Sequence, residues 1–142
     1  MPGAMNEHDT ISAELARRIQ DDQWAKSLGI DYLELRRGYC RVAITLQPHM
    51  VNYLRSPHGA VIFALADAAF GAACNSHGAP AVALSMTIGF LTTPQLDGRL
   101  IAECRERRQG RRAGFYDVTV TDETGALVAV LQCVAHRVAP ET

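Results

Sequence analysis

The chain has 142 residues, of which 48% are hydrophobic and 20% charged, and its formal net charge is -1. That is one domain's worth of chain with an ordinary globular balance, enough to bury a core. A charge so close to neutral excludes a nucleic-acid binder, which carries a strong basic excess, and leaves anion recognition to local clusters.

The opening MPGAMNEHDT has no basic stretch leading into an apolar run, so no secretory signal is expected, and residues 1–9 read as a flexible N-terminal tail. A single domain is expected over 10–138, with 139–142 as a short C-terminal tail. From Thr10 a helix signal begins, with Thr10 or Ser12 as cap and Glu14 in the first turn. Ile11, Leu15, Ile19 and Trp24 recur at roughly helical spacing up to Lys26, and Leu28-Gly29 ends the element. Two alternating runs follow, Ile30 to Arg37 and Tyr39 to Leu46, and Gly38 between them makes a hairpin. Residues 47–57 have no period and read as a loop.

From Gly59 to Asn75 the chain is rich in alanine, free of proline and apolar on nearly every face, which predicts a helix inside the protein. Its apolar core, Ala60 to Cys74, is 15 residues long and carries an acid, too short to span a bilayer. Ser76-His77-Gly78 closes it with glycine in the usual place. Four strands then fill the last third: Ala81 to Leu91, Arg99 to Arg107, Gly114 to Thr121 and Leu127 to Arg137, divided by turn signals at 94–98, 109–110 and 122–125. Helix, hairpin, buried helix and four strands fit an α+β fold in which an antiparallel sheet wraps around one long buried helix. Cys40, Cys74, Cys104 and Cys133 form no CxxC pair and read as reduced, structural thiols of a cytoplasmic protein.

Asp67 is the one charged residue inside the apolar helix. A buried carboxylate costs several kcal/mol unless it is paired, so the residue is either a hydrogen-bonded structural acid or a functional one. The first backbone N–H groups of the same helix have no intrahelical partner and lie at the positive end of its dipole. Gly59 and Ala60 carry little side chain, so an acyl oxygen can approach those groups as in an oxyanion hole; taken alone, a plain tight turn into the helix is the better explanation of them. Asp67 lies eight residues beyond Gly59, about 12 Å along a helix axis, so one carbonyl carbon cannot touch both on one helix. Ala60, Ala64, Asp67 and Gly71 fall on one stripe of mostly small residues that a partner chain can approach. The expectation is a dimer whose site joins the helix start of one chain to Asp67 of the other.

The stretch from Asn52 to Ser76, with its core HGAVIFALADAAFGAACNS, resembles the phenylacetate-degradation (PaaI-like) branch of the hotdog thioesterases, within the 4-hydroxybenzoyl-CoA thioesterase superfamily. The likeness continues through SMTIGFLTTP and RRQGRRAGFYDVTVTDETGALVA to AHRV, about residues 28 to 138. It implies a hotdog fold, dimers that often pair into tetramers, and hydrolysis of an acyl-CoA. It further implies that Asp67 is the catalytic acid, as nucleophile or as base on water. Gly59 supplies the N–H that polarises the thioester, Asn52 orients substrate or water, and His58 orders the loop. Two positions depart from the pattern: Ala60 replaces the second glycine of His-Gly-Gly and narrows the acyl pocket, and Gly89 stands where relatives carry Asp or Asn.

Ser85 and Thr87 share a strand face and are candidates to orient water or the acid, or are plain surface hydroxyls. Arg105, Arg107, Arg108, Arg111 and Arg112 surround the Gln109-Gly110 turn. Guanidinium groups there suit the phosphates of coenzyme A, with Arg108, Arg111 and Arg112 the candidates to bind them, or they form a solvated hairpin tip. The histidines show no ligand spacing with each other or with the cysteines, so no metal is expected, and no cofactor beyond the coenzyme A carried by the substrate. The implied substrate is a small, aromatic, phenylacetyl-type acyl-CoA, with medium-chain acyl-CoA as the alternative. A non-catalytic acyl-CoA sensor on the same fold would not need Asp67, and a hotdog dehydratase would arrange its acid and histidine differently.

Overall fold

The computed structural model describes residues 7–138. Of the expected tails, residues 1–6 and 139–142 lie outside that range, while Glu7–Asp9 forms a 3-10 turn whose Asp9 carbonyl accepts the Arg37 N–H at 2.7 Å. The N-terminal helix differs from expectation because it is two helices, α1 (Ala13–Gln20) and α2 (Gln23–Ser27). Ser12 caps the first through the Leu15 N–H. Asp22 then caps a second helix by accepting the Ala25 N–H at 3.0 Å. An Asp in that role takes extended backbone angles, which ends α1.

Strands β1 (Asp31–Arg36) and β2 (Tyr39–Thr45) form the hairpin, turning at Gly38 with φ 71°, where a side chain would be strained. Helix α3 (Gly59–Asn75) follows the loop and occupies the span its composition predicts. Then come β3 (Ala81–Phe90), β4 (Arg99–Gln109), β5 (Ala113–Asp122) and β6 (Leu127–Arg137). All pairings are antiparallel, in the order β1-β2-β4-β5-β6-β3.

The sheet's inner face packs on α3, as the hotdog fold requires. Val42, Ile44, Leu100, Val118 and Val120 from the sheet meet Leu65, Ala69 and Phe70 from the helix, all nearly without solvent exposure. Phe70 and Tyr116 meet edge to face, with ring centroids 5.6 Å apart. The far end of α3 is tied down by polar groups. The buried Ser76 hydroxyl donates to the Ala73 carbonyl and accepts the Gly38 N–H at 2.7 Å. His77 contacts Glu106 at 2.5 Å, and the Tyr116 hydroxyl sits between Glu106 (3.1 Å) and Gln109 (2.7 Å). The helix is thereby fixed in register against the sheet, which fixes what its two ends present.

β3 is an edge strand. Its Met86 and Ile88 side chains join the core, while Val82 and Leu84 are exposed. Among the described residues no helix is long and apolar enough to cross a membrane.

Candidate active site

The loop before α3 is organised by Asn52. Its side-chain oxygen accepts the N–H groups of Leu54 (2.9 Å) and Ser56 (3.1 Å), and its backbone N–H donates to the Ser56 carbonyl. Both lone pairs of that oxygen are therefore used within the loop, and only the amide NH2 is left to orient another group. Arg55, at the loop tip, takes φ 64°, a left-handed conformation that non-glycine residues adopt at a cost. The loop returns to α3 through His58, whose N–H donates to the Met50 carbonyl at 2.9 Å.

His58 is the N-cap of α3, with its Nδ1 accepting the Ala60 N–H at 3.0 Å. The Val61 N–H goes to the His58 carbonyl. That leaves the Gly59 N–H, which has no hydrogen-bond partner among the described residues. Gly59 is also one wall of a groove of about 300 Å³ lined by Asn52, Ile62, Phe90 and Thr92. Ala60 is exposed and lies in the first turn, where its methyl fits helical backbone.

Phe90 is a site residue that sequence reasoning missed. A Cβ at Gly59 would come 3.2 Å from its ring, so glycine is what lets the end of β3 close over the start of α3. Nothing in the residue pattern announces that contact, because the two positions are 31 apart and Phe90 reads as one more apolar strand residue.

Asp67 stands in mid-helix. The expectation that it is a buried charge is corrected: in the single chain it is exposed, together with Ala60, on the side of α3 turned away from the sheet. Surrounding atoms still raise its carboxyl above the ordinary 3.8, first by desolvation and then through the like charge of Asp22. Asp22, the cap of α2, is thus a second neighbour that the sequence did not reveal. Part of the small-residue stripe is also covered within the chain, since Gly71 faces a cavity that α1 and Tyr32 help to line.

The remaining candidates lie elsewhere. Ser85 and Thr87 do share a face, but it is the outer one: Met86 and Ile88 take the core side, so within one chain both hydroxyls point away from α3. The basic hairpin sits at the wrong end for Gly59. Ala113 pairs with His136, next to the Ala81↔Arg137 end of β3, whereas Gly59 adjoins Phe90 at the other end. Nine strand residues separate the two ends, about 30 Å. In that hairpin Arg105 pairs with Glu103 and Arg107 with Asp117. Arg108, Arg111 and Arg112 have no acidic partner among the described residues. One chain therefore brings Asn52 and Gly59 to one groove, with His58 capping the helix beside it, and leaves Asp67 about 12 Å along the helix.

The comparison with known proteins decides the family, since the sequence profile of the thioesterase superfamily matches residues 55–129, more than half of the chain. The chain belongs to the thioesterase superfamily. This thioesterase is 38% identical over 119 residues to the acyl-coenzyme A thioesterase PaaI of Escherichia coli K12, covering 84% of this chain and 85% of that one. Its fold is similar to the structure of the E. coli PaaI protein from the phenylacetic acid degradation operon, with a TM-score of 0.85, 36% identity and coverage of 89% and 92%. A Streptococcus mutans protein solved with acetyl CoA is 28% identical, with a TM-score of 0.74 and coverage of 77% and 88%. The thioesterase is thus a thioester hydrolase with the PaaI-like hotdog fold.

Proposed function

We propose that the chain hydrolyses acyl-CoA thioesters in a site built by two copies of itself, with Asp67 as the catalytic carboxylate. The observation that carries this reading is the free Gly59 N–H at the start of α3, on the same helix as an exposed acid it cannot meet. The N–H, at the positive helix end, donates to the thioester oxygen and stabilises the charge that develops on it. The acid, in its ionised form, either attacks the carbonyl carbon to give a mixed anhydride that water then hydrolyses, or takes a proton from a water that attacks the carbon; in both routes the CoA thiolate leaves. Asn52 lends its NH2, and His58 holds the loop through its cap.

The copies join along β3, a ten-residue edge strand with exposed Val82 and Leu84 that pairs with β6 on one side and, among the described residues, with no strand on the other. Antiparallel pairing of two β3 strands runs the two α3 helices in opposite directions, so each chain's helix start lies toward the other's Asp67. It also brings the unpaired Arg108, Arg111 and Arg112 of one chain toward the other's groove, where they meet the phosphates of coenzyme A. Dimers pair further into tetramers. The acyl group is small and aromatic, of the phenylacetyl type, a reading supported by the likeness to PaaI proteins. The reduced, buried thiols agree with a cytoplasmic location.

The test mixes two inactive chains. Asp67→Asn removes the acid. Gly59→Pro removes the N–H at the first helical position, where proline is favoured and the extended His58 before it is compatible; its Cβ also presses on the Phe90 ring, so Gly59→Ala, which makes the same contact and keeps the N–H, is the control. Each of the two inactive chains alone loses about 100-fold or more in thiol release from phenylacetyl-CoA. After unfolding and refolding together in equal amounts, random pairing leaves one intact site in every hybrid dimer and restores about one quarter of wild-type activity. No recovery in a mixture that sizing shows to be dimeric rejects the shared site. Full activity of folded Asp67→Asn rejects the acid.

A further inference from the structure

Gly71 lies in the interior of α3, where glycine is destabilising relative to alanine. The usual reasons for glycine do not apply to it. Its φ is not in the left-handed region, and a Cβ built on it meets no atom within 4 Å. The space it leaves empty is part of a cavity of about 340 Å³ between α1, β1 and the second half of α3, lined by Leu15, Ile19, Tyr32, Ala72 and Asn75 as well as Gly71. The cavity opens to solvent and is lined by polar as well as apolar groups, and by volume it has room for an aryl group or a short alkyl chain, since about 150 Å³ is enough to hold benzene.

The cavity's position gives it a role. Gly71 follows Asp67 by one helical turn on the same face, so their Cα–Cβ directions run side by side about 5–6 Å apart. Asp22, which also lines the cavity, is close enough to Asp67 to act on its charge. A thioester carbonyl held at Asp67 thus has the cavity within reach of its acyl side. Leu15, Ile19 and Tyr32 form its apolar wall, while Arg18, Asp22 and Asn75 supply polar groups.

We infer that this cavity receives the far end of the acyl group, and that Gly71 with Leu15 and Ile19 determines which acyl groups are accepted. The inference rests on Asp67 being the reacting acid. It makes the N-terminal helix, far in sequence from the motif around Asp67, the specificity wall of the site.

The experiment separates acyl recognition from turnover. Calorimetry with two non-hydrolysable CoA thioethers, one carrying a phenethyl and one a methyl group, measures recognition of the acyl end alone. Gly71→Leu fills the cavity; phenethyl-CoA then binds at least tenfold more weakly while methyl-CoA stays within threefold. Leu15→Phe narrows the same space from α1 and produces the same selective loss, which covers the case in which Gly71→Leu does not fold. Ile19→Ala widens the cavity and moves preference toward larger groups. Equal changes for both thioethers, no change for either, or no preference in wild type overturns the assignment. Turnover of phenylacetyl-CoA by Asp67→Asn is measured in parallel. Retained turnover refutes the role of Asp67 and leaves the binding comparison as it stands.

Discussion

His58 separates two roles that a histidine beside a catalytic loop can play. As the N-cap of α3 its Nδ1 accepts the Ala60 N–H at 3.0 Å, and that bond satisfies one of the helix's free donors. As a proton-transfer group it would be irreplaceable. His58→Asn keeps an N-cap acceptor, because asparagine is among the best residues at that position, but it removes the imidazole. His58→Ala removes both. Loss of a cap costs about 1 kcal/mol. A chain of 142 residues unfolds with an entropy of about 0.3 kcal/mol per degree, so His58→Ala lowers Tm by about 3 °C and His58→Asn leaves it near wild type. Thiol release follows the same order: His58→Asn stays within about fivefold of wild type, and His58→Ala falls further as the loop that holds Gly59 loosens. General acid–base catalysis contributes about 100-fold or more, so a loss of that size in a His58→Asn chain with unchanged Tm would refute the capping account.

Four other outcomes follow from contacts already described. The raised carboxyl of Asp67 means the folded chain holds that proton more tightly than the unfolded one, so the ionised acid costs stability above its folded pKa and nothing well below 3.8. Asp67→Asn therefore raises Tm at neutral pH, and the gain disappears on acidification. In the wild type, activity falls as pH drops through the raised pKa, and Asp22→Asn, which keeps the α2 cap, moves that acid limb to lower pH; an unmoved limb denies the coupling. Tyr116→Phe leaves the Gln109 side-chain oxygen without its hydroxyl donor in a buried setting, costing about 1–3 kcal/mol, seen as a lower denaturation midpoint at unchanged slope. Gly71→Ala gains about 1 kcal/mol of helix propensity with no clash, and a fall in Tm instead would mean that another helix occupies the space.

The parts of this fold that were legible in the sequence are those governed by local chemistry. Helix α3 occupies residues 59–75 as expected because its alanine-rich, proline-free composition and the Ser76-His77-Gly78 close all act within a few positions. The strands of the last third were legible for the same reason, with turn residues between alternating runs. What was not legible depends on neighbours distant in sequence. Ile19 and Trp24 keep helical spacing across a break that Asp22 makes with its own side chain, and Trp24 is largely exposed at 65%. The exposure of Asp67 was misread because an apolar stripe looks the same whether a sheet or a second chain covers it. Ser85 and Thr87 were placed together correctly, but alternation alone does not say which side of a sheet is the inside. The closure of Phe90 over Gly59 has no sequence signal at all.

The four cysteines have a practical consequence for anyone assaying this enzyme. Cys40, Cys74, Cys104 and Cys133 are free, exposed by 3% or less, and burial pushes the thiols of Cys40, Cys74 and Cys133 up to about 12. Thiolate is the form that reacts with disulfide dyes, and at neutral pH such groups supply almost none. Native protein is therefore silent toward the reagent that reports released CoA, and the colour in the cuvette belongs to product. The same silence ends when the sheet opens. A slow extra signal of up to four equivalents per chain, growing with denaturant, clocks the opening of the core in the reaction mixture itself.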